Sequence, residues 1–243
     1  MLVSVIMPYY KKIKYVEQSI DSVINQSYQN LELIIVYDDE SKEDLKLLKQ
    51  IEKKNNKIKI IENPKNLGAG QSRNVGIKYA NGEVISFIDS DDYWFKEKLS
   101  KQINFMEKNN LEFVFCDYIK KKNNKETNII CANNVLNYND LLKSCDIGLS
   151  TVLINKKKIP ENFFPNLKTK EDYVAWLKLT KENTKAYKLD DILVTWNKTK
   201  NSLSSNIFQK IKDGYKVYRV YEKFNVLISI FYLIRLALNS LKK

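Results

Sequence analysis

Short apolar runs alternate four times with longer segments of helical spacing in the first hundred or so residues, and this alternation constrains the fold more than any other feature. Residues 2–7, 33–37, 58–61 and 84–88 are rich in Val, Ile and Leu and read as strands buried on both faces. Ile13, Val16, Ile20, Val23 and Ile24 recur at helical spacing after the first run, and Leu45, Leu48 and Ile51 after the second. A third helix is expected from about residue 71 to 80, and a fourth around 97–108. Such alternation builds an α/β fold, a doubly wound and mostly parallel sheet with helices on both faces. Ligands bind outside the carboxyl ends of the strands in sheets of this kind. Pro8, Tyr9 and Tyr10 fall at such an end, as do Asp38 and Asp39, and then Asp89, Asp91 and Asp92. Three separate stretches are therefore expected at one crevice.

The acids after the fourth strand carry the chemistry. Carboxylates crowded at the end of a buried strand repel one another unless a cation is supplied. One or two carboxylates suit Mg²⁺ or Mn²⁺, which take further ligands from water and substrate phosphates. A solvated acidic turn is the other reading, and on these residues alone both stand. Charge and composition narrow the field. The chain of 243 residues has no histidine, which removes histidine metal sites, histidine bases and Ser-His or Cys-His nucleophiles. Acid–base work falls to carboxylates. Three cysteines, Cys116, Cys131 and Cys145, are widely spaced, consistent with packing roles in a reducing compartment. A net charge of +12 predicts attraction to anions, whether nucleotide phosphates, nucleic acid or acidic lipid. Residues 2–7 follow no basic stretch and stop at Pro8, as a first strand does and a signal peptide does not.

Beyond Trp94 the pattern loosens. Strands are expected at 113–116, 151–154 and 192–194, an exposed turn or hairpin loop at 120–128, and a helix opening at Glu171 and Asp172 with Trp176 inside it. The segment from Asn66 to Gly76 is glycine-rich, but Arg73 stands where a dinucleotide-binding fingerprint needs glycine. The expected division is a catalytic domain over 1–205 and a basic amphipathic helical tail over 206–243. In the tail Lys212, Lys216, Arg219 and Lys223 form one stripe beside a mostly apolar one, and residues 226–238 are apolar apart from Ser229 and Arg235. That stretch is too short to span a bilayer. It suits the surface of an anionic membrane, or else packing on the domain or a second copy.

Taken together, these segments resemble family 2 glycosyltransferases with the GT-A fold, as found among bacterial enzymes that build surface polysaccharides. The resemblance rests on residues 3–10, 33–41, 66–74 and 87–94, and on Glu171-Asp172 with Trp176, in the family's order. It implies an inverting, metal-dependent transfer of a sugar from a nucleotide-diphosphate sugar, a UDP-sugar by expectation, to a hydroxyl of a glycan or lipid-linked acceptor. Pro8, Tyr10 and Asp39 would hold the nucleobase, by stacking and by accepting an N–H. Arg73 would lie near the donor, pairing with a phosphate or orienting an aspartate. Asp91 would ligate Mn²⁺ or Mg²⁺, with Asp89 nearer the ribose or the metal. Asp172 matches the family's general base. Trp94 and Trp176 are expected in the core, although either could border a sugar.

One departure from the family's pattern stands at Thr199, where the family has a histidine before residues 201–204; Lys198 or Lys200 would have to substitute. The expected location is cytoplasmic, peripheral on the inner face of the membrane. Two alternatives remain. A sugar-phosphate nucleotidyltransferase should carry a glycine-rich loop after the first strand, where Pro8-Tyr9-Tyr10 stands. A basic nucleic-acid-binding module should show a binding motif, and none is present, so nucleic acid is not an expected partner.

Overall fold

The computed structural model describes residues 1–122, 125–198 and 206–241. Four strands, β1 (Val3–Tyr9), β2 (Leu31–Tyr37), β3 (Ile58–Glu62) and β4 (Val84–Phe87), pair in parallel in the order β3-β2-β1-β4. Helices α1 (Ile13–Ile24), α2 (Leu45–Lys54) and α3 (Ala69–Tyr79) make the crossovers. The continuous apolar runs hide a period of two, because alternate side chains enter separate cores. Val3, Val5 and Met7 face the core that holds Val16, Ile20 and Leu48, whereas Ile6 faces the one that holds Phe164 and Trp176. Glycine sets the closeness of one crossover: a Cβ at Gly76 of α3 would lie 2.4 Å from Ile6 Cγ2.

The second half completes the sheet. A two-residue strand, β5 (Tyr93–Trp94), leads to α4 (Lys98–Lys108), β6 (Phe113–Lys122), β7 (Lys125–Ile129), β8 (Val135–Leu136) and α5 (Tyr138–Leu141). Then follow β9 (Leu153–Asn155), α6 (Glu171–Lys181) and β10 (Ala186–Asn197). The full order is β3-β2-β1-β4-β9-β6-β10-β5. β9 runs antiparallel to β4 and β6, so β6 points the same way as β4, and β10 lies parallel to β6. The turn or hairpin expected at 120–128 falls on the antiparallel β6–β7 ladder; residues 123 and 124 lie outside the described residues. The strand expected at 192–194 is instead twelve residues long. Its register shifts between Leu189 and Ile192 and again between Ile192 and Val194, and such bulges break the alternation by which a strand is read. At 151–154 a 3₁₀ turn, Leu149–Thr151, takes the place of the strand's first residue.

The tail forms α7 (Ile207–Lys216), a π-helical turn (Val217–Tyr221) and α8 (Val226–Leu241). It is joined to the sheet's own core. Val217, Tyr218 and Leu236 are buried in the cluster that includes Tyr173 and Trp176. Tyr218 Oη shares a 2.9 Å hydrogen bond with Tyr173 Oη and donates to the Leu142 carbonyl at 3.0 Å. Lys181 reaches Glu222 at 2.8 Å, and Asp213 accepts from both the backbone N–H and the hydroxyl of Thr169 at 3.0 Å. No helix among the described residues is long and apolar enough to cross a membrane.

Candidate active site

The carboxyl ends of β1, β2 and β4 open on one side of the sheet. Asp89 through Asp92 leave β4 in a tight turn closed by Asp92 N–H to the Asp89 carbonyl at 2.9 Å. The three acids in this turn have different surroundings. Asp92 points inward, 2% exposed, and accepts from Ser150 Oγ at 2.5 Å and from the Asn197 backbone N–H at 3.1 Å. Burial, with Asp89 and Asp91 adding to it, pushes its carboxyl well above the usual range, so it serves the turn as a buried anchor. Asn197 secures the same turn through its side-chain amide, which donates to the Asp91 carbonyl at 2.6 Å. Asp91 and Asp89 are left facing the crevice.

Each of these two acids already faces a cation of the chain. Lys12, just past the end of β1, sets its ammonium 2.6 Å from Asp91 Oδ2. Arg73 of α3 is itself buried and bridges two carboxylates, Asp89 at 2.6 Å through Nη2 and Glu171 at 2.8 Å through Nη1. Its guanidinium lies over the Phe164 ring at 5.4 Å. Desolvation opposes the charge on Arg73, but its two carboxylates outweigh that and hold the proton more tightly than usual. Arg73 Nε is buried without a hydrogen-bond partner, so the bridge is made wholly by the two outer nitrogens.

Glu171 and Asp172 open α6, where the helix dipole favours acids. Lys170 before them takes a left-handed conformation, φ 68°, which turns the chain into the helix. Burial pushes the Glu171 carboxyl up to about 7 against the pull of Arg73. Burial also raises Asp172, with Lys170 and the Tyr173 backbone N–H, 2.7 Å from Oδ1, working the other way. A raised carboxyl is a better proton acceptor than an ordinary one, provided it is ionised.

At the other end of the crevice Pro8 is buried within β1, opposite Val36 of β2, and Tyr10 stands about half exposed at the mouth. Asp39 is buried and accepts from Ser41 N–H at 3.1 Å. Asp38 is committed to the fold: its two oxygens take Asn63 Nδ2 at 2.7 Å, Leu67 N–H at 2.8 Å and Gly68 N–H at 2.8 Å. That clamp shapes the glycine-rich segment, and Gly68 supplies the φ of 82° that its entry into α3 needs.

Comparison with known proteins fits this geometry. The model of the family described as glycosyl transferase family 2 matches residues 4–153. A teichuronic acid biosynthesis glycosyltransferase, TuaG of Bacillus subtilis, named as putative, is 34% identical over the whole chain and 97% of its own length. The chain belongs to glycosyl transferase family 2. A second relative of this transferase is the Escherichia coli protein WfgD, 37% identical over 100% of this chain and 94% of that protein. WfgD is named UDP-Glc:alpha-D-GlcNAc-diphosphoundecaprenol beta-1,3-glucosyltransferase. Among solved structures, S. aureus TarS 1–349 in complex with UDP-GlcNAc superposes with a TM-score of 0.77 at 23% identity, over 96% of this chain and 70% of that one. The mannosyltransferase PcManGT of Pyrobaculum calidifontis, solved with GDP-Man and Mn²⁺, gives 0.71 at 15% identity, over 95% and 69%. These two share the GT-A fold with the family 2 enzyme.

The transferase's expected site residues gather around this crevice: Asp89 and Asp91 after β4, Arg73 between Asp89 and α6, Asp172 at the α6 start, and Pro8, Tyr10 and Asp39 at the β1 and β2 ends. Trp94 and Trp176 are fully buried, donating to the Ser150 and Ile147 carbonyls, so both belong to the core. Thr199, Lys200 and the 201–204 segment lie outside the described residues, as does the 205 boundary. Lys12, Ser150 and Asn197 were not expected at the site from sequence, and Glu171 was singled out only as the motif partner of Asp172 that opens the helix. Lys12 lies two residues from Tyr10, whereas nothing in the spacing joins Ser150 or Asn197 to Asp92, which are 58 and 105 positions apart from it.

The donor set suits a divalent ion bound partly by substrate. Among the described residues no three His, Cys, Asp or Glu side chains converge as a complete metal cage. Two carboxylates, one of them 34% exposed, leave positions for diphosphate oxygens and water, as Mn²⁺ and Mg²⁺ prefer.

Proposed function

We propose that this transferase moves a glycosyl group from a UDP-sugar to a hydroxyl of a lipid-diphosphate-linked glycan, with inversion at the anomeric carbon, in bacterial surface-polysaccharide synthesis. The observation that carries this reading is the Arg73 bridge. One buried guanidinium ties Asp89, on the donor side, to Glu171, the neighbour of Asp172 on the acceptor side. A fold that uses a buried cation in this way spaces the two halves of a displacement reaction rigidly.

In this account Pro8, Tyr10 and Asp39 receive the base, and Asp91, with Asp89 beside it, holds Mn²⁺ or Mg²⁺. The ion would neutralise the charge that develops on the departing diphosphate. Arg73 orients Asp89 and Glu171, and its removal would let both swing. Asp172 takes the proton from the acceptor hydroxyl as that oxygen attacks the anomeric carbon opposite the leaving group. In a chain without histidine the task falls naturally to a carboxylate. The names of the relatives WfgD and TuaG support a polysaccharide precursor as acceptor.

Location at the cytoplasmic face of the membrane follows from the same acceptor. Leu227, Ile228, Phe231, Ile234 and Leu238 of α8 are exposed, and lysines of α7 lie beside them in sequence. An apolar face next to basic residues suits an anionic bilayer surface. The tail beyond residue 205 is thus read as part of the catalytic unit, built into its core through its other face and offering this one to the bilayer. A screen of UDP release across nucleotide sugars, with Mn²⁺ and with excess chelator, tests the function. Metal-dependent release with a UDP-sugar is expected, and release from no nucleotide sugar would overturn it.

A further inference from the structure

Five lysines gather where the ends of β6 and β10 and the start of α7 meet the loop that opens α6. Lys120 and Lys122 lie on the same face of β6, two residues apart. Lys198, at the end of β10, is held beside them by its backbone N–H to the Lys121 carbonyl at 2.8 Å, and Lys120 Nζ lies 5.9 Å from the ring of neighbouring Trp196. Lys170 stands two residues before Asp172. Lys210 comes from α7, one turn before Asp213, and the paired Thr169–Asp213 hydrogen bonds bring that turn against the Lys170 loop. Four of the five are half-buried. Burial pushes Lys198 down, with Lys120 and Lys122 adding to it, and burial then Lys198, Lys170 and Lys120 do the same to Lys210.

These ammonium groups repel one another at a cost the fold could have avoided. Lys121, on the opposite face of β6, pairs with Glu126 at 3.5 Å. None of the five has an ion pair among the described residues. The donor's diphosphate has its own place at Asp89 and Asp91, on the other side of Arg73. We propose that Lys170 and Lys210, with Lys120, Lys122 and Lys198 around them, form a second anion site that takes the diphosphate of the acceptor. This rests on the reading of Asp172 as the base and on a diphosphate-linked acceptor. The acceptor's hydroxyl would sit at Asp172 and its diphosphate, across the sugar ring, among the lysines. Lysines act on phosphate as mobile point charges, which suits a flexible diphosphate. The exposed apolar face of α8 continues from the same tail toward the lipid.

The test is a binding titration on the full chain. UDP is first brought to saturation, metal is omitted, and inorganic pyrophosphate is then titrated calorimetrically. The wild type should bind pyrophosphate in addition to UDP. Lys170→Gln with Lys210→Gln should weaken that binding by about tenfold or more while UDP binding stays unchanged. Lys170→Arg with Lys210→Arg should retain it, which separates charge from folding. In turnover, the Gln pair should raise KM for a farnesyl-diphosphate-linked sugar acceptor by a much larger factor than KM for the same sugar as an octyl glycoside, any change in kcat through Asp172 being common to both. UDP binding with no further pyrophosphate binding in the wild type would overturn the site. So would equal losses on both acceptors, or a Gln pair that loses only sedimentation with phosphatidylglycerol vesicles, since the lysines would then serve lipid headgroups. Failure of UDP to bind even when Mn²⁺ is supplied would count against the glycosyltransferase reading instead.

Discussion

Lys98 should make the protein less stable at neutral pH than at alkaline pH, and its replacement by methionine should remove that dependence. It opens α4 fully buried, its ammonium 3.8 Å from the Trp94 ring centroid and 3.3 Å from Ser86 Oγ, with no carboxylate paired to it among the described residues. Burial pushes it from 10.5 down to about 7. A helix N-terminus is also an unfavourable place for a cation. Between pH 7 and 10.5 the unfolded chain therefore binds more protons than the folded one, and stability rises with pH across that window. Below about 7 the cost is present in full, and above 10.5 it is gone. At about 1.4 kcal/mol for each tenfold change, the displacement amounts to roughly 5 kcal/mol. Losing the cation–π contact gives back about 2 kcal/mol, and imperfect packing about 1 kcal/mol more. Lys98→Met should then be more stable than wild type by about 2 kcal/mol at pH 7, and the gain should shrink by a similar amount by pH 9. Urea unfolding midpoints at the two pH values, followed by tryptophan fluorescence, measure both quantities. A gain that does not change with pH, or a variant less stable at each, would refute the reasoning.

Asp91→Asn should fold normally but lose Mn²⁺ binding in the presence of UDP, seen by titration calorimetry, and with it turnover, because an amide is a poor ligand for a hard cation. Asp172→Asn should bind UDP and metal as wild type does and transfer roughly 10²-fold more slowly or worse in a radiolabel transfer assay. A chain ending at Ser205 should fail to fold, by circular dichroism and proteolysis, because it strips Val217, Tyr218 and Leu236 from the main core; truncations of that kind cost several kcal/mol per large side chain, about 2–5 each.

The parallel half of the sheet was legible because each strand and helix there carries its own periodicity, and the acids at the strand ends are contiguous in sequence. β10 was only partly legible, since Lys188, Asp190 and Asp191 interrupt its apolar residues and two register shifts break the alternation. The Arg73 bridge was half visible. An arginine in a helix reads as a surface charge, and only the fold brings Glu171 to it from 98 positions away. The same limit hid Ser150 and Asn197, whose role is to hold Asp92, a contact between loops with no spacing rule. The tail's sequence left two readings open because an amphipathic helix has one apolar face whether it meets protein or lipid. The structure uses two faces: Val217, Tyr218 and Leu236 turn inward while Leu227, Phe231 and Ile234 remain outside.

The central claim is a metal-dependent, inverting transfer with Asp172 as base, and the anomeric configuration of the product tests it most directly. With a UDP-α-sugar, Mn²⁺ and a diphosphate-linked acceptor, proton NMR of the isolated product should show a β linkage, formed by the wild type and lost together with activity in Asp172→Asn. An α-linked product, or a β-linked product made at the wild-type rate by Asp172→Asn, would contradict the account.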